Sequence, residues 1–110
     1  MTEPTIEFRD EPAEGAYVVD VDGERAGKAE YLVRDGRRVF VHTEVDDRFS
    51  GMGLGSRLAR FALDDVRESD GKAVPLCPFI AAYISRHPEY EDLVDREMTE
   101  MYEARKSDRD

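Results

Sequence analysis

The sequence predicts an α/β (α+β) fold, in which an antiparallel strand meander is followed by a strand–helix–strand unit and a C-terminal helix. Two observations predict it. The first 45 residues contain short runs rich in Val, Tyr and Phe that are separated by turn dipeptides, as is typical of antiparallel strands. After Gly53 the apolar period changes from two to about 3.6 residues, which indicates a helix.

Four strands are predicted in the first part of the chain. Ile6 and Phe8 alternate with polar neighbours, which indicates a short first strand. Asp35-Gly36 between two extended runs is a strong signal for a two-residue hairpin. The other predicted strands cover residues 16–21, 25–34 and 37–45.

A helix is predicted over residues 54–70, and a short strand follows it. The apolar face of this helix consists of Leu54, Leu58, Phe61, Ala62 and Val66. Gly71 is predicted as the glycine that ends the helix. Residues 73–76 then form an apolar strand, and Pro78 is predicted at the first position of a second helix.

The strand at 37–45, the helix at 54–70 and the strand at 73–76 form a crossover unit. Such crossovers are right-handed and make their two strands parallel, so the predicted sheet is mixed. Ligands favour the carboxyl ends of parallel strands at such points. We expect residues 1–94 to form one domain and the charged residues 95–110 to form a helix or a frayed tail.

The composition excludes several classes of protein. At 110 residues the chain has the length of one domain. No apolar run approaches the roughly 20 residues that span a bilayer. With 26 acidic and 16 basic residues the net charge is −10, which repels nucleic acid and anionic membrane surfaces. We therefore expect an acidic protein with neither a nucleic-acid nor a membrane partner.

Cysteine usage and the start of the chain favour a cytoplasmic location. Cys77 is the single cysteine, so the chain forms no internal disulfide, which suits a reducing compartment. The first residues lack a basic stretch followed by an apolar run, so no secretory signal is expected. The spacing of His42 and His87 from Cys77 matches no zinc motif, and no metal is expected.

A glycine-rich segment is the candidate phosphate-binding site. It joins the fourth strand to the first helix and reads Arg48-Phe49-Ser50-Gly51-Met52-Gly53-Leu54-Gly55. Glycine lets the backbone approach a ligand closely, N–H groups at a helix start suit a phosphate, and Arg48 adds a positive charge. The alternative is a flexible turn that binds nothing. The segment is not a Walker loop, because no Gly-Lys-Ser/Thr ends it, and a dinucleotide fold would place the glycines after an early parallel strand.

The pattern Arg48-x-x-Gly51-x-Gly53 resembles the Q/R-x-x-G-x-G/A signature of the GNAT N-acetyltransferase superfamily. Further segments match at His42-Thr43-Glu44-Val45, Pro75-Leu76-Cys77-Pro78-Phe79, Tyr83-Ile84 and His87-Pro88-Glu89-Tyr90. Together they resemble a small single-domain branch that carries a C-P-[FY] cysteine. The resemblance covers roughly residues 6–94 and implies a minimal GNAT-like fold whose mixed sheet splays apart.

This resemblance implies that acetyl-CoA is the co-substrate. The backbone of Thr43, Glu44 and Val45 would pair with the pantetheine arm. The pyrophosphate would be held by N–H groups of Phe49, Ser50, Gly51, Met52, Gly53, Leu54 and Gly55. Met52 stands where relatives often carry a basic residue, which removes one charge. Only residues 10–15 occupy the place of two helices of the usual fold, so the acceptor side is expected to be open.

Cys77 is the first candidate for the chemistry. It follows the last predicted strand and precedes a helix start, a position that stabilises a thiolate. A thiolate can take the acetyl group and then pass it to an amine. Placement alone favours a buried structural cysteine, and the family resemblance reverses that preference.

Three further side chains are candidates for acid–base chemistry. With a period of two, His42 shares a face with Phe40 and Glu44. If the fourth and fifth strands are neighbours, His42 lies near Cys77, where it could activate the thiol or deprotonate the acceptor amine. Glu44 is an alternative general base. Tyr83 matches a position from which related folds protonate the departing CoA thiolate. The alternatives are a structural histidine, a solvated glutamate and a tyrosine packed in its helix.

The sequence as a whole predicts an enzyme that transfers an acetyl group from acetyl-CoA to an amine of a small molecule or a protein. Transfer directly to the amine and transfer through an acetyl-cysteine both remain open. We expect a monomer or a weak homodimer. An alternative from another class is a CoA-binding or sensing module without transferase activity, and a third is a ligand-free interaction domain that uses its acidic surface.

Overall fold

The computed structural model of the protein describes residues 3–108 as one mixed sheet with flanking helices. The order of the strands in the sheet follows the chain. The strands are β1 (Ile6–Glu11), β2 (Ala16–Val21), β3 (Glu24–Arg34), β4 (Arg37–Val45) and β5 (Lys72–Pro75). The helices are α1 (Leu54–Glu68), α2 (Pro78–Arg86) and α3 (Arg96–Asp108), with 3₁₀ helices at Asp47–Phe49 and Pro88–Leu93. The predicted fold class is confirmed.

Two tight hairpins build the antiparallel part of the sheet. The φ angles are 50° and 83° at Asp22 and Gly23, and 50° and 77° at Asp35 and Gly36. Two successive left-handed residues match the twist of the flanking strands, and Asp-Gly is a favoured pair for this turn. The hairpin predicted at Asp35-Gly36 is confirmed. β1 and β2 are joined by residues 12–15 alone. A turn therefore stands where the usual fold implied by the resemblance has two helices.

β4 and β5 separate before β4 ends. Their parallel pairing stops at Phe40 and Pro75, whereas β4 continues to Val45. On its other side β4 stays paired with β3 as far as Val45. Residues 41–45 therefore have one backbone edge that β5 leaves uncovered.

A β-bulge in β4 divides its side chains between the two faces of the sheet. The register pairs Tyr31 with Phe40 and Ala29 with Thr43, so β4 has one extra residue between these pairs. Tyr31 and Ala29 both lie in the core with α1, which places Phe40 and Thr43 on that face. His42, one residue before Thr43, faces the opposite side. The expectation that Phe40 and His42 share a face is therefore wrong, because the bulge shifts the alternation.

The main core lies between α1 and the sheet. The buried face of α1 consists of Leu54, Leu58, Ala59, Ala62, Leu63 and Val66, with Phe61 half-buried at its edge. Burial of a large apolar side chain stabilises the fold by about 1.5–3 kcal/mol.

Two tyrosine hydroxyls at the core margin donate to carboxylates, Tyr17 to Asp65 at 2.7 Å and Tyr31 to Asp10 at 2.6 Å. Burial and the hydrogen bond to Asp10 raise the pKa of Tyr31 to about 12.

α1 ends at Glu68, two residues before the predicted end, and its left-handed residue comes one position before the predicted Gly71. The left-handed residue is Asp70, with a φ of 59°, and not Gly71. The N–H of Gly71 donates to the carbonyl of Val66 at 2.9 Å, and the N–H of Asp70 donates to that of Arg67 at 3.1 Å. These two bonds form a Schellman motif, in which aspartate tolerates the left-handed position.

The charged C-terminal segment is largely helical. The sequence left residues 95–110 as a helix or a frayed tail, and Arg96–Asp108 forms α3, which contacts β5. Residues 109 and 110 lie outside the described residues. The domain boundary at residue 94 stays a prediction. Within the part of the chain that the structure describes, no helix is long and apolar enough to cross a membrane.

Asp95 joins α3 to β4. Its carboxylate accepts a hydrogen bond from the N–H of Met98 at 2.9 Å and pairs with Arg37 at 2.7 Å. We expect Asp95→Ala to lower the free energy of unfolding by about 1–2 kcal/mol, because a helix cap and a part-buried ion pair are lost together. Urea unfolding at neutral pH measures the change. The matched control is Asp92→Ala, whose ion pair with Arg67 is exposed and contributes under about 1 kcal/mol.

The carboxylate of Asp95 also predicts how the free energy of unfolding depends on pH. The hydrogen bond from Met98 and the Arg37 guanidinium hold the pKa of Asp95 below its usual value. Such a group stabilises the fold fully above its unfolded pKa of about 3.9, and this contribution is lost as pH falls through the folded pKa. The stability difference between wild type and Asp95→Ala should therefore shrink from about pH 5 to about pH 3. An equal difference at both values would contradict this assignment.

Candidate active site

The glycine segment starts α1 with free backbone donors. Asp46 caps the 3₁₀ helix before it, since its carboxylate accepts the N–H of Arg48 at 2.9 Å. Gly51 and Gly53 then adopt left-handed φ angles of 87° and 68°, which are strained for any residue with a Cβ. Gly53 is the N-cap residue of α1, and its first turn carries no side-chain cap. The N–H groups of that turn are therefore available to an anionic ligand.

A cavity of about 330 Å³ lies on this segment. One wall is Phe79 in the first turn of α2, whose side chain is 37% exposed. A Cβ on Gly55 would lie 2.8 Å from Cζ of Phe79, so glycine lets α1 begin directly against the ring. The lining residues are Val45, Asp46, Asp47, Phe49, Ser50, Gly51, Gly53, Leu54, Gly55, Ser56 and Phe79.

Most of the predicted cofactor-binding residues line this cavity, but four do not. Thr43, Glu44, Arg48 and Met52 lie outside its lining. The side chain of Met52 packs partly against the core. Leu54 lines the cavity although it is 2% exposed, so it can offer a ligand only its backbone.

Sequence reasoning missed four lining residues, Ser56, Phe79, Asp46 and Asp47. For Phe79 a signal was present, because an aromatic residue directly after Pro78 lies in the first turn of a predicted helix. Nothing in the sequence marks the two aspartates as neighbours of the cavity. They place negative charge where an anionic ligand would approach.

Arg48 is not the free cation that the sequence suggested. Its guanidinium pairs with Glu24 at 3.2 Å and with Asp46 at 3.3 Å, and it lies over the ring of Phe49 at 5.2 Å. The hydrogen bond to Asp46 raises the pKa of Arg48, so the group stays charged. Two carboxylates already offset that charge. A phosphate at this loop would therefore be held mainly by backbone N–H groups.

Cys77 lies at the point where β4 and β5 diverge. Its N–H donates to the carbonyl of Phe40 at 2.8 Å, and its Sγ lies 3.3 Å from Oγ1 of Thr43. It is the N-cap residue of α2, and Pro78 occupies the first position of that helix as predicted. Cys77 is 2% exposed. Thr43, predicted only as a backbone contact, thus also brings its hydroxyl to the thiol.

Among the described residues, none of the other three candidate side chains hydrogen-bonds to this thiol. His42 and Glu44 pair with each other on the opposite face of β4, at 3.1 Å and with both side chains more than half exposed. The hydrogen bond from His42 lowers the pKa of Glu44, which makes its carboxylate a weaker base. Tyr83 is buried in the core and stacks on His87 with 4.0 Å between ring centroids, and burial raises its pKa. The structure does not bring His42 to Cys77.

A larger cavity of about 500 Å³ lies on the neighbouring part of β3 and the end of β4. Its two cations are already paired, Arg25 with Glu14 at 2.9 Å and Lys28 with Glu30 at 2.8 Å. Its lining includes no helix start with free N–H groups. The smaller cavity on the glycine segment is therefore the better candidate for an anionic ligand, because it lies at a helix start without a side-chain cap.

Comparison with known proteins decides the family. A family model described as GCN5-related N-acetyl-transferase matches residues 16–93. The chain belongs to the GCN5-related N-acetyltransferase family. The resemblance expected from the glycine and cysteine motifs is confirmed.

Curated relatives of this chain are similar over a shorter stretch. The chain is 45% identical over 47 residues to Protein NATD1 from Xenopus tropicalis, from Gallus gallus and from Homo sapiens. The match covers 43% of this chain and 43%, 43% and 42% of those proteins. The match thus spans less than half the length of these relatives.

Acetyl-CoA is the general acetyl donor of the N-acetyltransferase family. The cavity on the glycine segment has free backbone N–H groups at the start of α1, and Val45 at the end of β4 also lines it. Within residues 3–108, no group of three or more His, Cys, Asp or Glu side chains could hold a metal ion.

The φ angles of Gly51 and Gly53 predict how alanine substitutions in the loop affect ligand binding. We expect Gly51→Ala and Gly53→Ala to weaken acetyl-CoA binding at least about tenfold, because a left-handed Cβ strains the loop and turns its N–H groups away. Isothermal titration calorimetry measures the dissociation constants. Gly23→Ala is the matched control, since Gly23 also has a positive φ and open space around it but lies in the β2–β3 hairpin. Equal affinities in all three variants would show that the loop does not hold the ligand.

Proposed function

We propose that the protein transfers an acetyl group from acetyl-CoA to a primary amine. One observation carries the proposal: the uncovered edge of β4 runs from the thiol to the glycine-segment cavity. Thr43 touches Cys77 near one end of this edge, and Val45 lines the cavity at the other. An extended ligand segment can pair with such an edge as an added strand.

The two ends of the edge fit the two parts of acetyl-CoA. N–H groups at the start of α1 would hold the pyrophosphate, where the helix dipole adds roughly half a positive charge. The pantetheine arm would pair with residues 43–45, which directs the thioester toward the divergence of β4 and β5. Backbone donors of β4 near the bulge would polarise the thioester carbonyl as negative charge develops on its oxygen.

Two routes from this complex are chemically complete. In the direct route a neutral amine attacks the carbonyl carbon, the C–S bond breaks, and the CoA thiolate takes the proton that the new amide loses. In the covalent route Sγ of Cys77 attacks first and CoA leaves; the amine then attacks acetyl-Cys77 and the thiol is restored. The contact of Thr43 Oγ1 with Sγ supports the covalent route, because its hydroxyl can donate to a thiolate.

The first experiment is calorimetric titration of the reduced protein with acetyl-CoA, with ATP and NADPH as comparison ligands. We expect saturable binding of acetyl-CoA alone, because the β4 edge needs a pantetheine arm that the other two ligands lack. Equal binding of all three would indicate a general phosphate site. No binding of acetyl-CoA would overturn the proposal.

Cys77→Ala separates the two routes. On the covalent route this variant loses turnover by at least about a hundredfold, because the nucleophile is missing, while acetyl-CoA affinity stays within about twofold. Release of CoA thiol in the presence of an amine measures turnover, and intact-protein mass spectrometry detects the acetyl group on wild type. Thr43→Val is the companion variant, since it removes only the hydroxyl. Wild-type turnover in Cys77→Ala would leave the direct route.

His42→Gln tests the position of the imidazole. General bases contribute about 10²–10⁴ to a rate, so loss of a base that acts on the thiol would be obvious. Because His42 pairs with Glu44 on the far face of β4, we expect His42→Gln to change kcat less than about fivefold. A drop of about a hundredfold would restore His42 as the helper of Cys77.

One observation favours the second candidate function, a CoA-binding module without transfer. Cys77 is 2% exposed, and among the described residues its only side-chain hydrogen bond is to Thr43. A nucleophile normally has a base within reach. For such a module we expect tight binding of acetyl-CoA, no acetylated protein, and no release of CoA thiol with any amine of a panel.

A further inference from the structure

A separate cavity opens at the same divergence but on the other face of the sheet. Its volume is about 300 Å³, and it is lined by Val41, Leu76, Tyr102 and Glu103. Val41 is the residue of β4 that the bulge leaves without a partner in β3, and Leu76 directly precedes Cys77. One lining residue is therefore the sequence neighbour of the cysteine, but the helix that lines the cavity is α3 and not α1.

The alternation along β4 fixes the face on which this cavity lies. Phe40 lies in the core with α1, so Arg37 and Val41, which alternate with it, lie on the opposite face. The ion pair of Arg37 with Asp95 holds the start of α3 on that same face. α3 thus covers this face of the sheet at the divergence of β4 and β5. A second substrate that entered here would approach a bound thioester from the side opposite α1.

We propose that this cavity is the acceptor subsite and that it takes an alkyl diamine. The inference rests on the proposed function, because it needs a thioester at the divergence of β4 and β5. Val41 and Leu76 supply an apolar wall for an alkyl chain, and the ring of Tyr102 adds a flat surface. Glu103 is the single charged residue among the described residues of this lining, and its carboxylate favours a cation.

The charge of Glu103 indicates which nitrogen it holds. A carboxylate beside an ammonium stabilises the charged form, whereas only a neutral amine attacks a thioester. The cation at Glu103 is therefore a second amino group, distinct from the one that reacts. The reacting nitrogen forms the new C–N bond, the C–S bond to CoA breaks, and the proton goes to the CoA thiolate, while the other ammonium stays paired with Glu103.

The size of the cavity limits the acceptor. About 300 Å³ is at the lower end of the range for small-molecule sites, which suits a short linear chain and excludes a folded partner from its interior. Glu103 is thus a specificity-determining residue. It lies on α3, so truncation of that helix would remove the selectivity together with the wall.

The test compares cadaverine, a linear diamine, with n-pentylamine, which lacks the second amino group. We expect the full-length protein to acetylate cadaverine with a kcat/KM at least about fivefold higher, since the exposed ion pair contributes modestly. Glu103→Gln should abolish this preference by raising the KM for cadaverine, with kcat and acetyl-CoA affinity unchanged. Glu100→Gln is the matched control, because Glu100 is an exposed carboxylate of α3 outside the cavity lining.

A binding measurement separates this inference from the proposed function. Calorimetric titration of the CoA-saturated protein, or of the protein alone where CoA does not bind, with cadaverine reports on the cavity whether or not acetyl transfer occurs. Weaker cadaverine binding in Glu103→Gln than in Glu100→Gln supports the subsite. Equal cadaverine binding in both variants and wild type, or an unchanged preference between the two amines, overturns it. Failure of acetyl-CoA to bind overturns the proposed function instead.

Discussion

The early end of β5 is the constraint on which the rest of the structure depends. β5 has four residues, and its last one is Pro75, which has no N–H to donate to a further strand pair. The chain then folds back at once, with the N–H of Leu76 donating to the carbonyl of Val74 at 3.1 Å, and Pro78 starts α2. β4 cannot be matched over its full length, so it continues for five residues beside an opening.

An uncovered strand edge is a liability that proteins normally protect. Here it is bounded at one end by the N–H of Cys77 on the carbonyl of Phe40 and at the other by the glycine bend. The edge is therefore short and confined to a cleft, which hinders pairing with a second chain but leaves room for an extended ligand. Pro75, which ends β5, and Pro78, which starts α2, also place Cys77 where the two strands diverge. The uncovered edge of β4 and the position of the thiol thus have one cause.

The sequence predicted the features that depend on local chemistry. Asp35-Gly36 encodes its hairpin because two left-handed residues are needed there, and Pro78 encodes a helix start because its ring fixes φ. The face of the sheet on which each side chain after Phe40 lies could not be predicted in the same way. Residues 40–45 read as an uninterrupted strand, and the bulge at Val41 follows from how β4 fits β3 rather than from any turn residue. One inserted residue moved His42 away from the thiol and brought Thr43 to it.

The electrostatics of the glycine segment were equally hidden from the sequence. Arg48 stands beside the glycines in the chain, but Glu24, which pairs with it, comes from a strand 24 residues earlier. Asp46 caps the turn and offsets the same guanidinium, and Asp47 also lines the cavity. The proposed anion site in this chain of net charge −10 would thus receive little help from side-chain cations.

With Arg48 paired, the proposed anion site rests on the backbone. N–H groups at a helix start are fixed by the fold, so they lose little freedom when a phosphate binds, unlike a long arginine side chain. They also carry no net charge that neighbouring carboxylates could neutralise. In a protein this acidic, a site built from peptide dipoles keeps its local attraction for phosphate, whereas an exposed cation is captured by the nearest carboxylate, as Arg48 is. In the proposed complex, selection among phosphate ligands would then depend on the β4 edge, because backbone donors at α1 would contact the phosphate but not the group attached to it.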